Sequence, residues 1–421
     1  VKKHETMSKL AYHYGLKVRI YPSDEQKQII KVNSDASRFI YNQMVGINQE
    51  IHQLKRVSLP IDTIQMRLAQ LEKRRNAREL TNHFSFLADP QIDSLTKANA
   101  IQNYQKAWQQ FLKVHHAGVP KFHRKSAVWQ YQTNCQYPGQ TEAKLTNGTV
   151  RFVSTNQLIV PKLGKLRIRG SHKRLLKRLL DTRIGTVTIM KDASDRFYLA
   201  MQLASDWPFV VYEESQPGSV GIDLNIENFL TDSNGQVVAN PRHYRNSRKR
   251  LAKEQRTLSR RARRAKREHR SLKTSQNYQK QRRLVAQLHD KVRTQRQHFL
   301  HQLSTTLIKS HDLVVAEELR SKNLLKNHAL AMSISDVGWR TFLGMLTYKA
   351  ALYGTTFMTV NPRNTTQTCS KCTFVMGTEG TKKLTLDQRK WQCPRCQTEH
   401  IRDWNAAQNI LNKGLKKIKL A

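Results

Sequence analysis

The chain has 421 residues and a formal net charge of +42, from 73 Lys and Arg against 31 Asp and Glu. One hydrophobic core stops growing at about 250–300 residues, so this length predicts roughly two to four domains. The hydrophobic content of 38% is ordinary for a folded protein. The charge would make a compact chain repel itself unless a polyanion neutralises it, which favours a nucleic-acid partner. No stretch approaches the length of a membrane-spanning helix, which argues against a membrane protein.

The N-terminal "VKKHETMSKLAYHYGLKV" lacks the apolar core of a signal peptide. We therefore expect a cytoplasmic protein, associated with the nucleoid of a prokaryotic cell and without a membrane partner. Cysteines stay reduced in that compartment, where paired Cys-x-x-Cys motifs more often bind metal than form disulfides.

In chain order, a strand at "LKVRIYPS" comes first. Ser23 and Gln26 follow with capping-box spacing and open a helical block that extends to about residue 117. Between residues 118 and 210 the pattern changes to short alternating runs with turn signals, which predicts a small β-domain or barrel.

The second half begins with a strand at "GSVGIDL" and a hairpin with Ser-Asn-Gly at its turn. A long basic segment follows, with 21 Lys or Arg and three Asp or Glu in the 60 residues from Pro241. Strand-like "DLVVAEEL", a helix around "VGWRTFLGMLTYKAALYG" and a strand at "TTFMTVNP" then lead to a group of cysteines.

Four of the five cysteines form the pattern C-x2-C-x20-C-x2-C: Cys369, Cys372, Cys393 and Cys396. Two such pairs together supply the four thiolates of a closed tetrahedral Zn²⁺ site, and a closed site is structural. Cys135 stands alone in a β-like segment and is interpreted as a structural thiol.

Three acidic residues are candidates for catalysis. Asp223 and Glu317 each end an apolar strand, and Asp403 begins a helix whose dipole favours its ionised form. Each alone is better explained by a cap, a turn or a solvated edge. Together, in a chain this basic, they can hold two Mg²⁺ ions roughly 3.5–4 Å apart and hydrolyse a phosphodiester.

The segments "GIDLNIENFLTDSNG", "NPRHYRNSRKRLAKEQRTLSRR", "VVAEEL", "SISDVGW", the four-cysteine ribbon and "RDWNAAQNI" resemble, in order and spacing, the TnpB family of transposon-encoded RNA-guided DNA endonucleases. This family is related to the compact type V CRISPR effectors. The resemblance is densest from about residue 218 to 414, and "RIYPSDEQ" and "VPKFHRK" extend it weakly toward the N-terminus.

The resemblance implies a multidomain α+β protein. A RuvC-like (RNase H-type) α/β nuclease domain would carry an inserted zinc ribbon, and an N-terminal β-barrel wedge domain would carry an inserted helical recognition lobe. The implied boundaries are 1–22 with 118–210 for the wedge, 23–117 for the lobe, 211–365 with 401–421 for the nuclease, 242–300 for a basic helical insertion, and 366–400 for the ribbon.

The resemblance assigns the catalytic acids to Asp223, Glu317 and Asp403, with two Mg²⁺ ions per active site and one structural Zn²⁺. Four positions depart from the usual family pattern. Glycine is common where this chain has Asn225, Thr373 and Gln397, and an acidic residue is common where it has Ile401. None of these changes removes a metal ligand, so an active enzyme is expected.

The implied partners of a monomeric protein are a guide RNA derived from the transposon end and target double-stranded DNA. Thr133 and Asn134 fall where the family reads a short transposon-adjacent motif. Lys121, Arg124 and Lys125 would contact phosphate, although a solvated basic loop explains them equally well. The remaining nucleic-acid candidates are arginines of the basic segment, Arg248, Arg250, Arg256, Arg260, Arg261 and Arg264.

Three alternatives remain at this level: a guide-directed repressor without nuclease activity, a CRISPR-associated type V effector, and a RuvC-type junction resolvase guided by protein alone. The complete acidic triad favours the enzyme over the repressor. A resolvase would not need so large a basic surface outside its nuclease domain.

Overall fold

The computed structural model describes residues 7–57, 62–139, 143–170, 176, 182–210, 218–318, 336–385 and 387–419. The chain divides into two compact units, Val1–Phe209 and Val210–Ala421. None of the described helices combines the length and the hydropathy that a membrane-spanning segment requires.

The first unit is built on an antiparallel sheet. Its strands are β1 (Tyr12–Tyr21), β2 (Trp129–Asn134), β3 (Arg151–Ser154), β4 (Gln157–Val160), β5 (Gly164–Arg169), β6 (Arg183–Lys191) and β7 (Phe197–Ser205). They lie in the order β2-β6-β7-β1-β5-β4-β3. Strands β2 and β3 are at the two ends of this order. The residues next to them meet, because the N–H of Thr149 donates to the carbonyl of Gln136 at 2.8 Å. Leu16, Val18 and Ile20 alternate with exposed residues along β1 and fill the interior.

Four helices and a short 3₁₀ turn lie between β1 and β2. They are α1 (Asp24–Leu54), α2 (Asp62–Lys73), α3 (Ala77–His83), the 3₁₀ helix Ser85–Ala88, and α4 (Ser94–Lys113). The capping box at Ser23 and Gln26 is confirmed. The Gln26 amide also donates to the carbonyls of Leu163 and Lys165, which fixes the start of α1 against β5. A separate cluster of buried side chains, including Ile40, packs α1 against α4.

The second unit has a mixed five-stranded sheet. Its strands are β8 (Ser219–Leu224), β9 (Asn228–Asp232), β10 (Val237–Ala239), β11 (Leu313–Glu317) and β12 (Thr356–Val360), in the order β10-β9-β8-β11-β12. The first three form an antiparallel meander, whereas β8, β11 and β12 are parallel. The predicted Ser-Asn-Gly turn joins β9 to β10, and Gly235 takes a positive φ of 85° there.

The basic segment forms two helices, α5 (His243–Arg267) and α6 (Gln276–Lys309), which pack against one another. The Gln281 side chain donates to the carbonyl and the carboxylate of Glu254 across this contact. Asp336 accepts from the N–H groups of Tyr244 and Arg245 at the start of α5, and from Arg296 of α6 at 3.0 Å. One carboxylate therefore caps the first basic helix and joins it to the second.

The described residues of this unit also form the helices α7 (Trp339–Tyr353) and α8 (Arg402–Lys419). Helix α8 lies directly on the central strands because each contact contains a glycine, one on a strand and one on the helix itself. A Cβ at Gly221 of β8 would lie 2.2 Å from the Ala407 carbonyl oxygen, and one at Gly414 of α8 would lie 2.5 Å from a methyl of Val315 in β11. Larger residues at either position would force the helix away from the sheet.

The first prediction tests the close contact between α8 and the sheet with a matched pair of substitutions. Helix propensity alone would make Gly→Ala stabilising by about 1 kcal/mol. We expect this gain for Gly344→Ala in α7, where nothing lies within 4 Å of the new Cβ. For Gly414→Ala, overpacking against the buried Val315 should cost about 1–3 kcal/mol. Thermal unfolding measures both, and a stabilised Gly414→Ala would contradict this account of the packing.

Candidate active site and metal centre

The three predicted acidic residues lie in neighbouring elements of the second unit. Ala316 pairs with Ile222 in the parallel ladder of β11 and β8, so Glu317 and Asp223 follow at the same edge of the sheet. Asp403 lies in the first turn of α8, the helix that packs on both strands. Parallel strands present their carboxyl ends at one edge, and the packed helix adds its N-terminus there.

Burial and mutual repulsion dominate the electrostatics of this acidic group. Asp223 is only 7% exposed, and desolvation, followed by the charges of Glu317 and Asp403, raises the pKa of its carboxyl group well above the usual range. Burial also raises the pKa of Glu317, against the hydrogen bond from Thr365 and the charge of Lys413, which lower it. A bound cation would offset this repulsion, so the charge of the three acids suits a divalent-metal site, although their carboxylate oxygens do not all lie within 4.8 Å of one another.

Several neighbours of the acids were not predicted from the sequence. Arg389, which precedes the second cysteine pair, lies 3.5 Å from Asp403 and 2.7 Å from Glu227. The Asn225 amide donates to Asp403 at 3.3 Å, and the Thr365 hydroxyl donates to Glu317. The only sequence signal for Arg389 is an arginine close to the second cysteine pair; its contact with Asp403 depends on the ribbon fold.

The four predicted cysteines converge. Their sulfur atoms all lie within 4.8 Å of one another, and among the described residues they are the only group of three or more metal-ligating side chains this close. Cys369 and Cys396 are 3.6 Å apart, and Cys372 and Cys393 are 3.5 Å apart. Tetrahedral Zn²⁺ with bonds of about 2.3 Å places sulfur atoms about 3.8 Å apart, so the cluster fits one structural zinc.

Each cysteine pair is followed by a turn in the left-handed conformation. Thr373 has a φ of 62° and Gln397 a φ of 58°. The N–H of Thr373 donates to the Cys369 carbonyl, and that of Gln397 donates to the Cys393 carbonyl, which closes each turn around the sulfur pair. The resemblance implies glycine at these two positions, and glycine adopts this left-handed conformation at no steric cost.

The ribbon is completed by the hairpin of β13 (Lys390–Gln392) and β14 (Glu399–Ile401). Trp391 and His400 face each other across it, with ring centroids 4.7 Å apart. The His400 Nε2 lies 3.0 Å from the Cys369 sulfur. The second cysteine pair lies between these strands, and α8 begins directly after β14.

The predicted phosphate contacts of the first unit, Lys121, Arg124 and Lys125, are all exposed. Lys125 lies 3.8 Å from Asp35. Arg124 lines a cleft of about 660 Å³ between α1, α4 and β2, together with Ser34, Asn103, Gln130 and Gln132. Their exposure is compatible with a phosphate contact and equally with a solvated loop.

The expected motif reader Thr133 requires a correction. Its side chain is completely buried, and its hydroxyl donates to Asp93, the residue that caps α4. Thr133 is enclosed against the start of α4, so a base cannot reach it in this conformation. Asn134 points to the other face, and its Oδ1 is buried without a hydrogen-bond partner among the described residues.

The predicted arginines of the basic segment lie along α5. Arg248, Arg250, Arg256, Arg260 and Arg264 are exposed, and Arg261 is half-buried. Arg261 donates to the carbonyl of Asn277, and Arg264 pairs with Glu268 at 2.8 Å. Arg248, Arg250, Arg256 and Arg260 make no ion pair with the described residues, so α5 exposes basic charge of the kind that binds a polyanion.

Three family descriptions match parts of the chain. "Probable transposase" matches residues 210–328, "Cas12f1-like, TNB domain" matches 339–410, and "Helix-turn-helix domain" matches 11–56. The last name does not describe the structure there, since residues 11–56 form strand β1 and the single long helix α1.

Two relatives that align with this chain over most of their length show its family. A Streptomyces pristinaespiralis protein named "Putative RNA-guided DNA endonuclease" is 32% identical over 406 residues, which cover 95% of this chain and 89% of the relative. "Putative RNA-guided DNA endonuclease InsQ" of Escherichia coli K12 is 25% identical, over 95% of this chain and 92% of the relative. The chain belongs to the TnpB family of RNA-guided DNA endonucleases.

A solved structure supports the fold. The chain aligns with the protein in "Cryo-EM structure of the Cas12f1-sgRNA-target DNA complex" with a TM-score of 0.52, over 96% of this chain and 99% of that one. The sequence identity is 14%, so this match concerns the fold alone.

The second prediction concerns the turns of the ribbon. Replacing Thr373 or Gln397 by Gly should stabilise the ribbon by about 0.5–1 kcal/mol each, because a left-handed conformation is unfavourable for residues with a Cβ. The control is Thr356→Gly in strand β12. Thr356 does not have a left-handed backbone conformation, so this glycine should destabilise the protein. Resistance of zinc to a competing chelator and thermal unfolding check both, and a less stable Thr373→Gly ribbon would refute the explanation.

The third prediction concerns the cost of the buried carboxylate. In magnesium-free buffer without chelator, Asp223→Asn should stabilise the protein by roughly 1–3 kcal/mol. The variant no longer buries a carboxylate next to the carboxylates of Glu317 and Asp403. Asp403→Asn is the control: it removes the Arg389 pair and should not stabilise. Added Mg²⁺ should raise the melting temperature of the wild type and not of Asp223→Asn.

The pH dependence follows from the same pKa. Since the pKa of Asp223 is raised in the folded chain, that chain binds more protons than the unfolded one between the two pKa values. The stability of the magnesium-free wild type therefore falls as the pH rises through this window. The advantage of Asp223→Asn should grow over the same window, and an advantage independent of pH would contradict the assignment.

Proposed function

We propose that this protein is an RNA-guided DNA endonuclease that hydrolyses target DNA next to a short motif with a RuvC-type, two-metal site. The observation that carries the proposal is the convergence of Asp223, Glu317 and Asp403 at one edge of the central parallel strands. The strand order of the second unit, a three-stranded meander followed by two parallel strands, supports an RNase H-type nuclease fold. The names of the relatives support the guided cleavage of DNA.

The three carboxylates would hold two Mg²⁺ ions. When bound, these ions supply an activated water and stabilise the leaving oxygen of the phosphodiester. Glu317 would offer the oxygen that Thr365 does not engage, and Asp403 enters the site from the positive end of α8. Arg389 is half-exposed beside Asp403, where its guanidinium would contact the phosphate that approaches the metals.

The four-cysteine ribbon would hold one structural Zn²⁺ and so fix the position of Arg389. Arg389 is one residue before β13, and its carbonyl accepts from the N–H of Arg402 at the start of α8 at 2.8 Å. The ribbon therefore supports the cation and the first turn that carries Asp403. This arrangement explains why a zinc knuckle directly precedes the third catalytic acid in the sequence.

The first unit would be a wedge-type domain, residues 1–22 with 118–210, that carries a recognition lobe at 23–117. The nuclease would comprise 211–365 and 401–421, with the basic insertion 242–300 and the ribbon at 366–400. We propose that the polar cleft beside Arg124, together with Asn134, reads the motif beside the target, and that Thr133 only positions α4. The exposed arginines of α5 would neutralise guide-RNA phosphates for a monomeric protein.

The fourth prediction tests catalysis. Asp223→Ala, Glu317→Ala and Asp403→Ala should each abolish cleavage of target DNA, because each removes a ligand of the metal pair. Binding of RNA and DNA should stay within a few-fold of wild type, since the basic surface is unchanged. Glu318→Ala is the control for the register of β11 and should retain activity. Near-wild-type cleavage by any of the three triad variants would refute the nuclease site.

Guidance is tested in the same assay by supplying the RNA. Base pairing with a guide should set the target, so changing the guide sequence should redirect double-strand cleavage to matching DNA that carries the motif. If RNA-free protein cleaved the same targets equally well, guidance would be wrong and the protein-guided resolvase would be the better explanation.

A further inference from the structure

Thr365 lies outside the acidic triad but contacts it directly. It lies in the loop between β12 and the first cysteine pair, is 2% exposed, and its hydroxyl donates to Oε1 of Glu317. The same hydroxyl oxygen lies 3.0 Å from the Pro362 carbonyl. A hydroxyl has one proton, and the charge-assisted bond to an ionised carboxylate is the stronger of the two. Oε2 of Glu317 is thereby left for other ligands.

The loop that carries Thr365 is held by one stripe of helix α8. Asn405, Asn409 and Lys413 are spaced four residues apart, so they lie on one face of the helix. The Asn409 amide donates to the carbonyls of Thr365 at 2.9 Å and Thr368 at 2.6 Å.

The two ends of this stripe bind the rest of the loop. The Asn405 amide also donates to the Thr368 carbonyl, at 2.8 Å, and its Oδ1 accepts from the N–H of Ser370. Lys413 donates to the carbonyls of Asn361 and Arg363. Asn405 and Asn409 are almost completely buried, so these bonds are shielded from water.

We infer that Thr365 is a positioning residue for Glu317, and that Asn409 acts on the metal site through Thr365. This inference rests on the proposed function. Helix α8 then contributes to the site in two ways: it carries Asp403, and its Asn409 amide holds the loop whose Thr365 hydroxyl orients Glu317. Cys369 follows Thr368 directly, so the first zinc ligand is anchored to the same stripe. Partners that orient metal-ligating carboxylates in this way commonly change metal affinity or activity by about 10–100-fold when removed.

The test compares Thr365→Val, which keeps the shape and removes the hydroxyl, with Thr365→Ser, which keeps the hydroxyl. In the full chain with guide RNA, Thr365→Val should raise the Mg²⁺ concentration for half-maximal cleavage by about 10–100-fold. It should raise the Mg²⁺ concentration for half-maximal thermal stabilisation of the RNA-free chain equally. Thr365→Ser should restore both values to within a few-fold. The control Thr355→Val loses a hydroxyl bond to the Ile308 carbonyl and should leave both unchanged.

Two results would overturn the inference while leaving the proposed function intact. One is a Thr365→Val protein that cleaves with the wild-type Mg²⁺ dependence. The other is a Thr365→Val protein that is less stable without magnesium but has an unchanged Mg²⁺ midpoint, which would show a purely structural role. Failure of the wild type to cleave or to respond to Mg²⁺ would instead reject the proposed function.

A double-mutant cycle tests the part of Asn409. Asn409→Ala should raise the Mg²⁺ midpoint in the wild-type background and have little further effect in Thr365→Val, because both changes break one chain of contacts. Independent, multiplying effects would show that Asn409 does not act through Thr365.

Discussion

The close contact of α8 with β8 and β11 is the constraint on which the candidate active site depends. Two strands can bring Asp223 and Glu317 to one edge, but Asp403 reaches them only because α8 lies directly on the sheet. Gly221 and Gly414 permit this distance, since any side chain there would meet the Ala407 carbonyl or Val315. Protein interiors are packed too densely to absorb such an overlap without moving an element. The placement of Asp403, the third proposed metal ligand, therefore depends on the absence of two side chains.

The same contact concentrates negative charge where water is excluded. Asp223 is almost fully buried beside two other acids, which is unfavourable for the folded chain without a cation. The charge of Arg402 reduces this cost at Asp223, whereas Arg389 pairs with Asp403 and, outside the acidic group, with Glu227. Clusters of this kind are retained for function, because an arrangement optimal for stability would replace one of the carboxylates.

The sequence predicted what local patterns encode. Apolar strands that end in Asp223 and Glu317, the capping box at Ser23 and the spacing of the four cysteines need only neighbouring residues to be recognised. It did not predict Arg389 or Thr365, since their contacts join residues that are far apart in the chain. Thr133 was assigned as a base reader, but its side chain is buried against Asp93, a contact 40 residues away that the local pattern does not show. The family resemblance located the residue but not the direction of its side chain.

The position of α8 in the chain also bears on synthesis. It follows the ribbon and every other described element, yet its partners β8 and β11 are made much earlier. Until it emerges from the ribosome, the face of the sheet that includes Val315 has no cover, and the acidic group lacks its third member. Under the proposed function, a nascent chain would fold its first unit and present its basic helices to RNA before its metal site is complete. Such a vectorial order would separate RNA capture from hydrolysis in time.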